Sequence, residues 1–299
     1  MRDLPFTSVI VPVYTGIVHL ANCVRALQEQ SYAKDLYEIL IVDNGSQSGL
    51  HRILSGEQNV RILYEEFPSS YAARNRGILE AKGKVLAFTD VDCIPDRDWL
   101  TKGVHMLYSD PDNPGFVGGR VEVFAANPTR LTWVELFETV EAFNQEKYIK
   151  QWGFAATANL FAPKELFEKV GLFDPELKSS GDRDWGNRVT QAGYRGKYCK
   201  DAVVRHAARA SFRDFFRKCA RIQGGLFDLH KRDVGLSGFR SFRELWKSWP
   251  NQSDVRNLFQ NKKHSPTVKA KLVFLYLLYK MSRSVELIRL LYGGVSKRA

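Results

Sequence analysis

Two carboxylates separated by one residue, Asp90-Val91-Asp92, follow the apolar run Val85–Phe88. Such a pair at a strand end can present oxygens to a hard divalent cation, Mn2+ or Mg2+. The cation bridges two phosphates and neutralises the charge that builds as a diphosphate leaves. Alone the pair is a weak signal, because a solvated turn uses the same residues. The buried run in front of it strengthens the reading, since rigid scaffold then fixes both side chains.

Four other segments carry candidate chemistry. Asp43, in Val42-Asp43-Asn44-Gly45-Ser46, ends a second apolar run and can accept a hydrogen bond from a nucleotide base. A plain Asx turn explains the same residues. In Ala73-Arg74-Asn75-Arg76-Gly77, Arg74 or Arg76 can face a phosphate, or both can stand as solvated helix charges. Asp182, in Ser180-Gly181-Asp182-Arg183-Asp184-Trp185, falls at a helix start. A carboxylate there can take a hydroxyl proton, or simply complement the helix dipole. His206 closes Val203-Val204-Arg205-His206, where a neutral imidazole can complete the Asp92 metal site. A lone histidine is more often structural, so this assignment leans on the others.

The elements that must hold these residues alternate. Ser8–Tyr14, Glu38–Asp43, Val60–Tyr64 and Val85–Phe88 are short apolar runs that predict strands. Leu20, Cys23, Val24 and Leu27 recur at helical spacing. Ala72–Lys82, stopped by Gly83, and Arg97–Tyr108 predict further helices. The alternation predicts an α/β domain with a mainly parallel sheet and helices on both faces. Ligands of such sheets sit beyond the carboxyl ends of the strands, where Tyr14, Asp43, Asp90 and Asp92 fall. Farther on, strands are expected at 116–124, 154–161 and 198–204. Helices are expected at 131–148, 163–170 and from Ser179 or Ser180 to Gln191.

Read in order, several of these pieces resemble the family 2 glycosyltransferases, which have the GT-A fold. They are Ser8–Tyr14, Ile41–Ser46, Ala73–Gly77, Phe88–Asp96, Ala158–Phe161, Glu168–Asp174 and Gly181–Asp184. Each is loose, but seven in register over about residues 7–206 is specific. The resemblance implies an inverting single displacement from a nucleotide diphosphate sugar, a UDP-sugar being favoured, to a glycan or lipid-linked acceptor. It implies that Pro12, Val13, Tyr14, Asp43 and Arg74 contact the nucleotide. Asp90 would touch the ribose or the metal. Asp92 would be the main metal ligand with His206 as a second. Asp182 would be the general base, with Trp152, Asn159 and Asp184 on the sugar or acceptor side. Many members carry Glu-Asp at the base motif; Gly181 stands here instead, which leaves the base open between Asp182 and Asp184. The Q-x-x-R-W motif of processive synthases is missing, which implies single additions in polysaccharide or glycoconjugate synthesis.

Composition divides the chain. The 299 residues carry a net charge of +11. From Arg205 onward, 21 Lys and Arg face 6 Asp and Glu, giving +15 and leaving −4 for residues 1–204. We therefore expect a catalytic domain over 1–206 and a basic helical extension over 207–299. Ser211–Arg221 and Lys269–Leu291 interleave basic and apolar residues, which suits partial packing and partial contact with an anionic membrane surface. Cys23, Cys93, Cys199 and Cys219 form no C-x-x-C pair, so neither zinc nor a disulfide framework is expected. Met1–Phe6 lacks a secretory pattern and no run reaches the ~20 apolar residues of a membrane span, so a cytoplasmic, peripheral location is expected. A haloacid-dehalogenase-type phosphatase fits poorly because that chemistry wants Thr or Val two residues after the second Asp, where Ile94 stands, and the pair lies deep in the chain. A nucleic-acid-binding protein is disfavoured for want of a recognisable motif. A sugar-nucleotide binder without catalysis is the remaining rival.

Overall fold

The computed structural model describes residues 4–14, 16–46, 49–54, 56–57, 59–109, 115–234, 255–256 and 264–297. Most of the segment between 235 and 263, which belongs to the expected extension, therefore lies outside the described residues.

Eight strands among the described residues form one mixed sheet. They are β1 (Thr7–Val13), β2 (Tyr37–Asp43), β3 (Val60–Tyr64), β4 (Val85–Thr89), β5 (Cys93–Pro95), β6 (Phe116–Phe124), β7 (Asn159–Pro163) and β8 (Gly196–Ala207). Their order is β3-β2-β1-β4-β7-β6-β8-β5. The first four run parallel, as the alternating pattern requires, with Val13 opposite Asp43 and Ile10 opposite Phe88. Beyond β4 the pairing reverses: β7 is antiparallel to β4 and to β6, and β5 is antiparallel to β8. β2 and β4 are buried along their whole length, which is why they read as continuous apolar runs rather than alternating ones.

Ten α-helices are described. They are α1 (Ile17–Gln28), α2 (Leu50–Ile53), α3 (Ser70–Glu80), α4 (Trp99–Leu107), α5 (Trp133–Glu141), α6 (Gln145–Trp152), α7 (Lys164–Val170), α8 (Gly181–Gln191), α9 (Phe212–Val234) and α10 (Pro266–Leu291). The helix expected over 131–148 is two helices. The first, α5, starts in a capping box of Thr132 and Glu135, and Phe143 breaks the run with φ 54°. The strand expected over 154–161 begins only at Asn159. The α3 helix lies close on β1 because Gly77 has no side chain: a Cβ there would stand 2.6 Å from Ile10.

The chain divides into two compact units. The first comprises Met1–Glu122, Phe143–Glu176 and Gly181–Ala207, and the second Val123–Ala142, Leu177–Ser180 and Ala208–Ala299. The second unit thus draws on α5 in addition to the basic tail. Its core gathers Val134, Phe137, Phe215, Cys219, Leu272, Leu275 and Tyr276. Beside this core Glu138, 1% exposed, accepts from Lys218 at 2.7 Å and from Arg209 at 3.1 Å. Burial pushes the Lys218 ammonium below its usual range, and the Glu138 carboxylate opposes that shift. Glu138→Gln leaves two cations without their counter-charge. It is expected to cost about 3 kcal/mol, read as a lower Tm for the second unit.

Candidate active site

The carboxyl ends of the parallel strands place the first group of residues. β1 lies between β2 and β4, so Asp43 and Asp90 bracket Pro12–Tyr14 from either side. With strands about 4.8 Å apart, this sets the two aspartates on the order of 10 Å from each other. Asp43 is 8% exposed, and its Oδ1 accepts from the Gly45 and Ser46 amides at 3.1 and 2.8 Å. The Asx turn is therefore real, and it fixes the carboxylate at the edge of the sheet. Asn44 locks the same turn, donating to the Glu65 and Phe67 carbonyls. Tyr14 is 47% exposed just beyond β1.

Arg74, Asn75 and Arg76 have different partners. Arg74 is buried, and its guanidinium reaches Asp90 Oδ1 at 2.5 Å and the Ser70 carbonyl at 3.1 Å. It therefore aims Asp90 instead of standing in solvent as a phosphate contact. Asn75 exchanges both amide hydrogen bonds with the Phe173 backbone. Arg76 pairs with Glu80 on the outer face.

The short strand β5, unforeseen in the sequence, explains how Asp92 meets His206. It pairs β8 with Cys93 opposite His206. His206 Nε2 then lies 3.2 Å from Asp92 Oδ2, and its Nδ1 lies 2.7 Å from the Ala207 carbonyl. Burial disfavours the imidazolium, but the hydrogen bond and charge of Asp92, together with Asp90, outweigh it and raise the His206 pKa. Both ring nitrogens face oxygen acceptors. If Nδ1 carries the proton toward Ala207, the Nε2 lone pair points at a carboxylate, an arrangement that either a second proton or a bound cation relieves. Asp92 and His206 thus fit a divalent cation. Cys93 lies in the same cluster, within 4.8 Å, but its thiol is fully buried. Desolvation and the two neighbouring carboxylates hold its pKa well up, so it stays a thiol and is a poor ligand for a hard ion.

A second arm of the site comes from α8. A Cβ at Gly181 would lie 2.8 Å from the Tyr71 ring, so a bare glycine is what lets α8 start against α3. The Arg74 guanidinium sits over that same ring, 5.7 Å from its centre. The start of α8 thus packs on the ring that the Asp90-bound Arg74 also covers. Half-buried in the first turn, Asp182 accepts through Oδ1 from the Arg183 amide at 2.9 Å. Asp184 has a different fate. It is 4% exposed and bound by Arg188 at 3.0 and 3.2 Å, while Arg188 also donates to the Val170 and Leu172 carbonyls. Asp184 thus ties α8 to the loop after α7 and does not line the acceptor side.

Asn159 is also engaged within the fold. It is wholly buried, accepts from Trp99 Nε1 at 2.9 Å, and donates to the Arg120 and Ala202 carbonyls, both at 2.9 Å. It joins α4, β6 and β8 and presents nothing to a ligand. Trp152 does face outward, at 42% exposure. It stacks on Tyr148, which stacks on Phe154, and the cations of Lys147 and Arg183 lie 5.6 and 5.9 Å from its ring centre. Arg183 directly follows Asp182, so this platform stands beside the carboxylate.

The mixed sheet, parallel in its first half and flanked by helices, is an α/β architecture of the GT-A type. The chain belongs to glycosyl transferase family 2, whose family model matches residues 8–170. It is 38% identical over 227 residues to glycosyltransferase AglE of Haloferax volcanii, covering 74% of this chain and 73% of that one. A dolichyl N-acetyl-α-D-glucosaminyl phosphate 3-β-D-2,3-diacetamido-2,3-dideoxy-β-D-glucuronosyltransferase of Methanococcus voltae is 22% identical, over 71% and 70% of the two chains. The fold matches mannosyltransferase PcManGT from Pyrobaculum calidifontis, solved with GDP-Man and Mn2+. The TM-score is 0.60 at 19% identity, covering 98% of this chain and 77% of that one. The protein is a glycosyltransferase of glycoconjugate synthesis.

Proposed function

We propose that the chain transfers one sugar, with inversion, from a nucleotide diphosphate donor to a hydroxyl of a glycan or lipid-linked acceptor, with a divalent cation at Asp92 and His206. The observation that carries the reading is the 3.2 Å approach of Asp92 Oδ2 to His206 Nε2, with Nδ1 already committed to a carbonyl. The dolichyl phosphate in the name of the Methanococcus relative supports a lipid-linked acceptor, and a UDP-sugar remains the favoured donor. We assign catalysis to the first unit and treat 207–299 as an extension that shares the core of the second unit with α5.

In this reading Asp43 holds the base at the end of β2, with Pro12, Val13 and Tyr14 along its edge. Arg74 aims Asp90 at the ribose or the metal. When bound, the cation at Asp92 and His206 supplies charge to the departing diphosphate. Asp182 takes the proton from the acceptor hydroxyl as its oxygen forms the new bond to the anomeric carbon. The bond to the diphosphate breaks on the opposite face, and the nucleoside diphosphate carries the electron pair away. The Trp152 platform positions the acceptor beside Asp182. A screen of uridine and guanosine diphosphate sugars tests this. One donor should raise Tm by several degrees in the presence of Mn2+ or Mg2+ and much less with chelator. If no nucleotide sugar stabilises the protein with either metal, the reading fails.

The raised His206 pKa fixes a pH dependence of opposite sign for stability and for metal binding. In the metal-free protein, protonated His206 gains from the two carboxylates. That stabilisation is fully present below the unfolded value of about 6.5 and is lost as pH rises through the higher folded value. Metal binding needs the unprotonated Nε2, so Mn2+ affinity should increase over that same interval. Titration with Mn2+ across the window checks the second arm, and melting in chelator checks the first.

A further inference from the structure

We propose that α10 lies in the plane of an anionic lipid bilayer, with one uncovered apolar face sunk into the acyl boundary. Phe274, Leu277, Met281, Val285, Ile288 and Tyr292 recur at intervals of three and four, so they share one face of the helix. All six are exposed, from 36% at Leu277 to 89% at Tyr292. At 1.5 Å per residue this face runs for about 27 Å. No charged residue interrupts it. The opposite face, with Leu272, Leu275, Tyr276, Leu287 and Leu290, is already buried in the second unit. The helix is therefore apolar on two sides, and among the described residues only one of them is covered. An uncovered apolar stripe of this length marks an interaction surface.

Charge selects the occupant. The α10 helix carries five cations against the single carboxylate Glu286; Arg283 donates to Gln223 and Arg289 pairs with Glu286, so Lys269, Lys271 and Lys280 are the cations offered to headgroups. A second copy laid stripe against stripe would bring two such helices together, and their cations would repel. A bilayer instead accepts the stripe in its acyl region and the flanking cations among anionic headgroups. The rim has the form that interfacial helices use. Trp133 is 43% exposed, meets Phe274 edge to face at 5.9 Å, and lies under the Lys271 ammonium at 5.3 Å. Among the described residues no helix is long and apolar enough to cross a membrane, so the fit is to lying on the surface.

The inference does not depend on the catalytic reading, and its test uses no donor. The full chain is floated with phosphatidylcholine vesicles, with and without phosphatidylglycerol, at low and high salt. The wild-type chain should float with the anionic vesicles, less so as salt rises. The double variant Met281→Glu/Ile288→Glu changes outward-facing residues, so it should melt as the wild type does. Its partition into the same vesicles should fall by at least about 100-fold. The double variant Met281→Leu/Ile288→Leu should float normally and guards against a general effect of mutation. Failure of the wild-type chain to float, or equal flotation of the glutamate variant, overturns the proposal. A wild-type dimer that the glutamate variant converts to a monomer also overturns it, assigning the stripe to a second copy of the chain.

Discussion

Asp92→Asn is expected to remove metal-supported donor binding and to lower transfer on the order of 10^3-fold. The substitution keeps the shape of the side chain and discards its charge. It takes away one of the two proposed ligands and the largest of the interactions that raise the His206 pKa. A cation that stabilises a leaving diphosphate is worth several kcal/mol, and each 1.36 kcal/mol is a tenfold change in rate. Asp92 is partly exposed, so the fold should survive; Tm without ligand should fall at low pH, where His206 loses its carboxylate partner, and hardly move at high pH. Calorimetric titration of Mn2+ with a nucleoside diphosphate reads the binding loss directly. Metal-dependent binding unchanged in this variant would remove Asp92 from the metal site, and with it the central pair of the proposed mechanism.

The parallel half of the fold was legible because its strands are buried on both faces. Runs such as Glu38–Asp43 and Val85–Phe88 can be little else, and their ends fall where the acidic residues stand. The antiparallel half was harder. Three-residue β5 has no periodicity to detect, yet its register with β8 brings His206 to Asp92. The break between α5 and α6 was hidden because Phe143 takes a left-handed conformation that sequence ordinarily assigns to glycine or asparagine.

Side-chain roles separated by what each residue touches. Arg74, Asn159 and Asp184 are the polar residue types a ligand site needs, so type and spacing alone put them near substrate. The structure gives their groups to scaffold: Arg74 to Asp90, Asn159 to Trp99 and two carbonyls, Asp184 to Arg188. A buried polar group must be satisfied somewhere, and nothing local in the sequence announces a partner dozens of residues away. The Ala73–Gly77 segment shows the same point. One arginine aims a carboxylate, one asparagine staples the Phe173 backbone, and one glycine makes room for Ile10.

Asp182→Asn is expected to leave donor and metal binding intact while transfer falls by about 10^2- to 10^4-fold, the range a positioned general base contributes. The sequence left the base open between two aspartates two residues apart, and packing separates them. At position 184 the carboxylate is buried and held by Arg188, so its oxygens already face a fixed cation. At position 182 the carboxylate is half-buried in the first turn of α8, beside Arg183 and the Trp152 ring that Arg183 overlies. The preceding residue is fixed as glycine by the Tyr71 ring, so no second carboxylate can stand there in this packing. The amide keeps the size of the side chain and cannot take the proton. Donor-induced stabilisation should therefore match the wild type, which distinguishes lost chemistry from lost binding. Asp184→Asn supplies the contrast: it weakens the Arg188 pair, and its main effect should be a lower Tm. Full transfer by the Asp182→Asn variant would reject this base, while leaving the metal pair and the fold untouched.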